Sequence, residues 1–160
     1  MTIEPIVKQV RVKAPPPVAF DLFTRRMGAW WPKGGTLSKT PHEDIVIEPR
    51  EGGRWFERDA AGAETQWGQV IAWAPPARVL LSWHIDCGWG FNPDLLTEVE
   101  LTFAPSGEGG TMVTLTHRRL DAFGAAAADH AERLRGGWAT RVQDYADYVA
   151  HHAAAEIAHG

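Results

Sequence analysis

Two prolines in the middle of an apolar stretch constrain this chain most. Residues 67–83 read WGQVIAWAPPARVLLSW, two runs rich in Val, Ile, Leu and Trp on either side of Ala74-Pro75-Pro76-Ala77. Proline lacks an N–H and fixes φ, so the strand must end there and the chain must turn. The stretch is therefore a β-hairpin with a four-residue connection. Pairing Trp73 with Arg78 sets every parity down the ladder: Gly68, Val70 and Ala72 share a face with Trp83, Leu81 and Val79. Trp67, Gln69, Ile71 and Trp73 fall on the other, outer face. A glycine opposite a tryptophan leaves room on a concave face for large aromatics. The expectation is a bent antiparallel sheet with an apolar hollow.

The rest of the chain fits around that hairpin. Residues 3–13 alternate with a period close to two and are expected to form a strand, which Ala14-Pro15-Pro16-Pro17 ends. Val18, Phe20, Leu22, Phe23 and Met27 give a short helix or helix pair that stops at Pro32. Further strands are expected near 45–48, 54–58, 95–104 and 111–119, separated by Gly-rich turns. After Leu120 the composition becomes alanine-rich. Trp138, Val142, Tyr145 and Val149 recur at i, i+4, i+7 and i+11, one stripe of a long helix. The fold class is α+β, with six or seven strands, two short helices after strand 1 and a long C-terminal helix over residues 136–149. No linker or repeat divides residues 1–160, which are expected to form one domain.

Composition narrows the function classes. A net charge of −4 with no Lys/Arg run argues against nucleic acid or an anionic membrane as partner. No stretch approaches the roughly 20 apolar residues of a membrane span. The N-terminus lacks a signal-peptide pattern, and one cysteine, Cys87, fits a reducing cytoplasm. Lys33-Gly34-Gly35-Thr36 lacks the spacing of a phosphate-binding loop. His84 and Cys87 stand i, i+3 with no second pair, so no metal site is expected and no cofactor is implied. Asp86 beside them does not make a nucleophile set by adjacency alone. His151, His152 and His159 belong to a solvated helical tail. The unusual feature is eight tryptophans, more than a small core needs.

The ordered motifs Ala29-Trp30-Trp31-Pro32, Glu48-Pro49-Arg50-Glu51-Gly52-Gly53-Arg54, Trp67-Gly68-Gln69-Val70, Pro75-Pro76-Ala77-Arg78-Val79-Leu80, Trp83, Gly110-Thr111 with Val113-Thr114-Leu115-Thr116-His117, and Gly137-Trp138 resemble the START-like (SRPBCC, birch-allergen-like) superfamily. Within it they are similar to the family named after the activator of a heat-shock chaperone ATPase, in a single-domain form. The resemblance implies a helix-grip fold, a curved sheet wrapped around one long helix. It also implies a cavity that in other branches holds lipids, hormones or polyketides, and in a few catalyses cyclisation or hydrolysis.

The leading expectation is a binding protein for a small apolar or aromatic ligand. Its candidate ligand-binding residues are Trp31, Trp83, Trp89, Phe91, His117 and Trp138, with the loop bearing Trp89 and Phe91 as a lid. A co-chaperone-like regulator of a heat-shock protein ATPase and a cavity enzyme of the polyketide cyclase or hydrolase kind are the alternatives. The outer hairpin face (Trp67, Ile71, Trp73, Leu80) is the candidate homodimer seam.

Overall fold

The computed structural model describes residues 3–32 and 42–159, with side chains through residue 152; the Lys33–Thr36 segment lies outside them. Seven strands form one antiparallel sheet: β1 (Ile6–Val12), β2 (His42–Ile47), β3 (Arg54–Asp59), β4 (Glu64–Ala74), β5 (Arg78–Trp83), β6 (Thr97–Pro105) and β7 (Thr111–Arg118). Their spatial order, β1-β7-β6-β5-β4-β3-β2, is a meander from β2 to β7 with β1 added at the far edge. Helices α1 (Pro16–Thr24) and α2 (Met27–Trp30) follow β1, and α3 (Ala127–His159) follows a 3-10 turn over Leu120–Ala126. The sheet curls around α3, the helix-grip arrangement. Proline at the first position of α1 costs no hydrogen bond there. None of the described helices is long and apolar enough to cross a membrane.

Alternation explains the two most regular strands. Val99, Leu101 and Phe103 of β6, and Val113, Leu115 and His117 of β7, are all buried, while the residues between them are not. α3 answers with Ala131, Leu134, Trp138, Val142, Tyr145 and Val149, all buried, on one helical face. Gly136 and Gly137 do not interrupt it. The Tyr145 hydroxyl donates to the Ala19 carbonyl at 2.8 Å, tying α3 to α1.

The hairpin departs from its expected register, and the departure matters. Arg78 pairs with Ala74 rather than Trp73, so the connection is Pro75-Pro76-Ala77. Ile71 then bulges out, and the expected pairing returns at Val70–Leu81. Between turn and bulge the residues of β4 exchange faces, while Val79 and Leu81 of β5 keep theirs. Trp73 faces inward and packs edge-on against Phe20 at 5.0 Å, instead of lying on the outer face. A second irregularity, between β3 and β4 at Trp55/Phe56, leaves Trp67 unpaired with β3; the indole is buried against Trp31, Trp55 and Trp83. Of the four residues named for an outer apolar seam, only Ile71, 39% accessible, is exposed.

Gly68 sits inside this irregular stretch. A Cβ there would come within 1.7 Å of the Ser82 carbonyl oxygen, a backbone atom that cannot retreat alone. Gly68→Ala should therefore destabilise the protein by about 1–3 kcal/mol or more, read as a lower midpoint in chemical denaturation. An unchanged midpoint would mean that β4 and β5 are not pressed together at this point.

Candidate functional site

Six tryptophans meet where the end of β5, the exit of α2 and the middle of α3 converge. Trp31 contacts Trp30 (5.7 Å between ring centroids), Trp67 (5.0 Å) and Trp138 (6.0 Å). Trp83 contacts Trp55 (5.7 Å), Trp67 (6.2 Å) and Trp138 (5.4 Å). Tilted and edge-on geometries predominate, as the ring quadrupole favours.

The cluster is locked from beneath by one hydrogen-bonded chain. The Thr97 hydroxyl donates to the Trp83 carbonyl at 3.0 Å, which uses its only proton. It must then accept from His117 Nε2–H, 2.8 Å away. His117 Nδ1 in turn accepts from the Trp138 indole N–H at 3.0 Å. The tautomer is thereby fixed. Burial, reinforced by the neighbouring His130, lowers the His117 pKa to about 3, so the ring is neutral.

Above the cluster lies a recess of about 150 Å³ between α3 and the loop after β5. Its walls are Trp31, Trp83, Trp138 and Trp89, with Leu134. Gly137 adds an opening: a Cβ there would meet nothing within 4 Å. Two cations border it. Arg141 lies 5.4 Å over the Trp31 ring and pairs with Asp144 at 2.8 Å, and Arg133 makes no hydrogen bond or ion pair among the described residues. The Trp83 indole N–H, on a residue only 4% exposed, has no hydrogen-bond partner among the described residues. A recess with aromatic walls, a free buried donor and flanking guanidinium groups suits a flat, apolar molecule with an acceptor at its edge.

Four of the six residues named from sequence come together here: Trp31, Trp83, Trp89 and Trp138. His117 lies under the floor with both ring nitrogens engaged. Phe91 packs on His84 (5.6 Å) outside the recess. Sequence reasoning missed Arg133, Gly137 as an opening, and Arg141. Positions 130, 133, 134, 137, 138 and 141 follow i, i+3, i+4, i+7, i+8 and i+11, so they share one helix face, but that spacing alone does not separate a site from solvated surface. No group of three or more His, Cys, Asp or Glu among the described residues could hold a metal.

Residues 13–150 match the model of a family described as "Activator of Hsp90 ATPase homolog 1-like protein". Among solved structures, the chain is similar to Txn09, an anthrahydroquino-gamma-pyrone synthase, with 37% identity over 84% of this chain and 88% of that one, TM-score 0.59. It is also similar to CalC, a self-sacrificing resistance protein from Micromonospora echinospora, with 28% identity over 91% and 93%, TM-score 0.70. An Aha1 protein from Colwellia psychrerythraea, solved as a dimer, shares the fold at 17% identity over 91% and 95%, TM-score 0.62. No curated protein matches the chain.

The buried histidine gives a pH prediction. Unfolded, His117 takes a proton near pH 6.5; folded, it resists to about pH 3. The unfolded state binds more protons between those values, so stability is full above pH 6.5 and falls as the pH drops. About 2 kcal/mol should be gone by pH 5 and about 4 by pH 3 from this residue. His117→Gln should be less stable at neutral pH but show a flatter acid limb in urea titrations. An equally steep limb would place the acid sensitivity elsewhere.

Proposed function

Because the chain belongs to the activator of Hsp90 ATPase homologue 1-like family of START-like proteins, we propose that it binds a planar aromatic small molecule in the tryptophan recess. The observation that carries this reading is the unpartnered Trp83 indole N–H among apolar walls. An indole N–H buried without an acceptor costs about 1–3 kcal/mol. A ligand carbonyl or hydroxyl would recover that cost. Trp31, Trp83, Trp89 and Trp138 supply stacking area, and Arg133 and Arg141 draw electron-rich or acidic substituents to the mouth. A space of about 150 Å³ accepts roughly one aromatic ring, so a fused-ring ligand would insert one edge and leave the rest at the mouth. His117 and Phe91 support the site without touching the ligand.

A second reading, turnover of the bound molecule in the same recess, is favoured by the 37% identity to a synthase of a polycyclic aromatic pyrone. The co-chaperone alternative rests on the family's name. It would call for an exposed apolar patch, and on the outer hairpin face Trp67 and Trp73 are turned inward.

The test uses anthraquinone as probe, followed by tryptophan fluorescence and melting temperature. Gly137→Leu would plug the recess without meeting other atoms at its Cβ, and removing a helical glycine contributes roughly 0.5–1 kcal/mol of helix propensity. That variant should fold at least as well as the parent and lose the fluorescence response. Trp83→Phe should keep stacking but weaken binding about 2- to 10-fold, the worth of one hydrogen bond. A parent protein whose fluorescence and melting temperature ignore the probe, or a Gly137→Leu variant that responds fully, would defeat the proposal.

A further inference from the structure

Trp89 lines the recess and packs on a second group that does not, His130. His130 is 1% exposed, lying between the rings of Trp89 (5.1 Å) and Phe123 (4.6 Å). Neither of its ring nitrogens has a hydrogen-bond partner among the described residues. The contrast with His117 is instructive, since there the core supplies a partner to each nitrogen. A buried imidazole left open at both nitrogens carries a desolvation cost that an incoming donor would offset.

What covers it is removable. Trp89 is 48% exposed and sits at φ +64°, the left-handed region, on the tip of a tight loop. That loop is held by Asp86, whose Oδ1 accepts from the Gly88 and Gly90 amides at 3.0 Å each. The turn can thus stay fixed while the indole, which packs on His130, swings away. The recess would then extend to His130, and Arg133, one turn along the same helix face, would border both.

We propose that His130 is the proton acceptor of this site, reached when a bound ligand displaces the Trp89 ring. The ligand class is a planar aromatic phenol. Its O–H bond breaks with the electron pair remaining on oxygen, the proton passes to an imidazole nitrogen of His130, and the phenolate is paired by the Arg133 guanidinium. Burial first, then the positive charge of Arg133, holds the His130 pKa below the ordinary histidine range, with Asp86 opposing. The free ring is therefore neutral at neutral pH and carries a lone pair. The charged or titratable groups around it are Arg133 on α3, Asp86 on the loop and His117 on β7. Asp86 would steady the imidazolium once formed. The inference rests on the recess being a small-molecule site and adds the chemistry of its ligand.

The experiment compares a hydroxyanthraquinone dye, quinizarin, with its dimethyl ether, which has the same ring system and no proton to give. The parent protein should prefer the phenol about tenfold. On binding it, the His130 ring-nitrogen NMR signals should move to imidazolium positions, with His130→Phe used for assignment. His130→Phe, which keeps a ring between Trp89 and Phe123, should bind phenol and ether alike. Trp89→Ala should keep the phenol preference. A preference that survives in His130→Phe, or His130 signals that stay neutral in the parent's phenol complex, overturns this inference alone. Failure of the parent to bind either compound overturns the recess reading and this inference together.

Discussion

The hydrogen bond from the Trp138 indole to His117 Nδ1 joins the long helix to the floor of the sheet. An indole is only a donor, and a neutral histidine has only one acceptor nitrogen, so the bond admits a single tautomer and a single orientation of both rings. Thr97 closes the chain by accepting from the other nitrogen and donating to the carbonyl of Trp83. Helix α3, strand β7, strand β6 and the end of strand β5 are thus held through three side chains. The walls of the recess inherit that rigidity: Trp83 and Trp138 are fixed at their bases, and Trp31 leans on both Trp67 and Trp138.

The opposite wall is built differently. Trp89 belongs to a loop whose backbone is wrapped on the Asp86 carboxylate, while its side chain is half in solvent. Three walls are rigid and one is yielding, which lets a site the size of one ring admit a larger molecule. Two buried groups without a hydrogen-bond partner among the described residues belong to residues that meet at this site: the Trp83 N–H, on a residue that lines the recess, and the His130 ring packed on Trp89.

Much of the fold was legible because β6, β7 and α3 each bury one face, and a single buried face prints a period on the sequence. Val99, Leu101 and Phe103, or Trp138, Val142, Tyr145 and Val149, can be read only one way. The hairpin was harder. A bulge adds one residue to one strand and changes neither composition nor local hydrophobicity, so Ile71 gave no warning that Trp73 would change faces. A clue was available: strict alternation placed Trp67 and Trp73 both in water, which such large apolar rings seldom tolerate. Trp31, Trp83, Trp89 and Trp138, singled out from the surplus of tryptophan, line one recess. The polar members stayed hidden for a different reason. His130, Arg133 and Arg141 share a helix face with Leu134 and Trp138, yet in a sequence a charged residue beside an apolar stripe is indistinguishable from solvated surface.

The most direct measurement follows the indole N–H resonances as an aromatic ketone such as anthraquinone is added. The Trp83 signal should move downfield as its proton gains an acceptor, while the Trp138 signal, already bonded to His117, should stay nearly still. A Trp83 signal unmoved at saturating ligand, or equal shifts in both, would contradict the account.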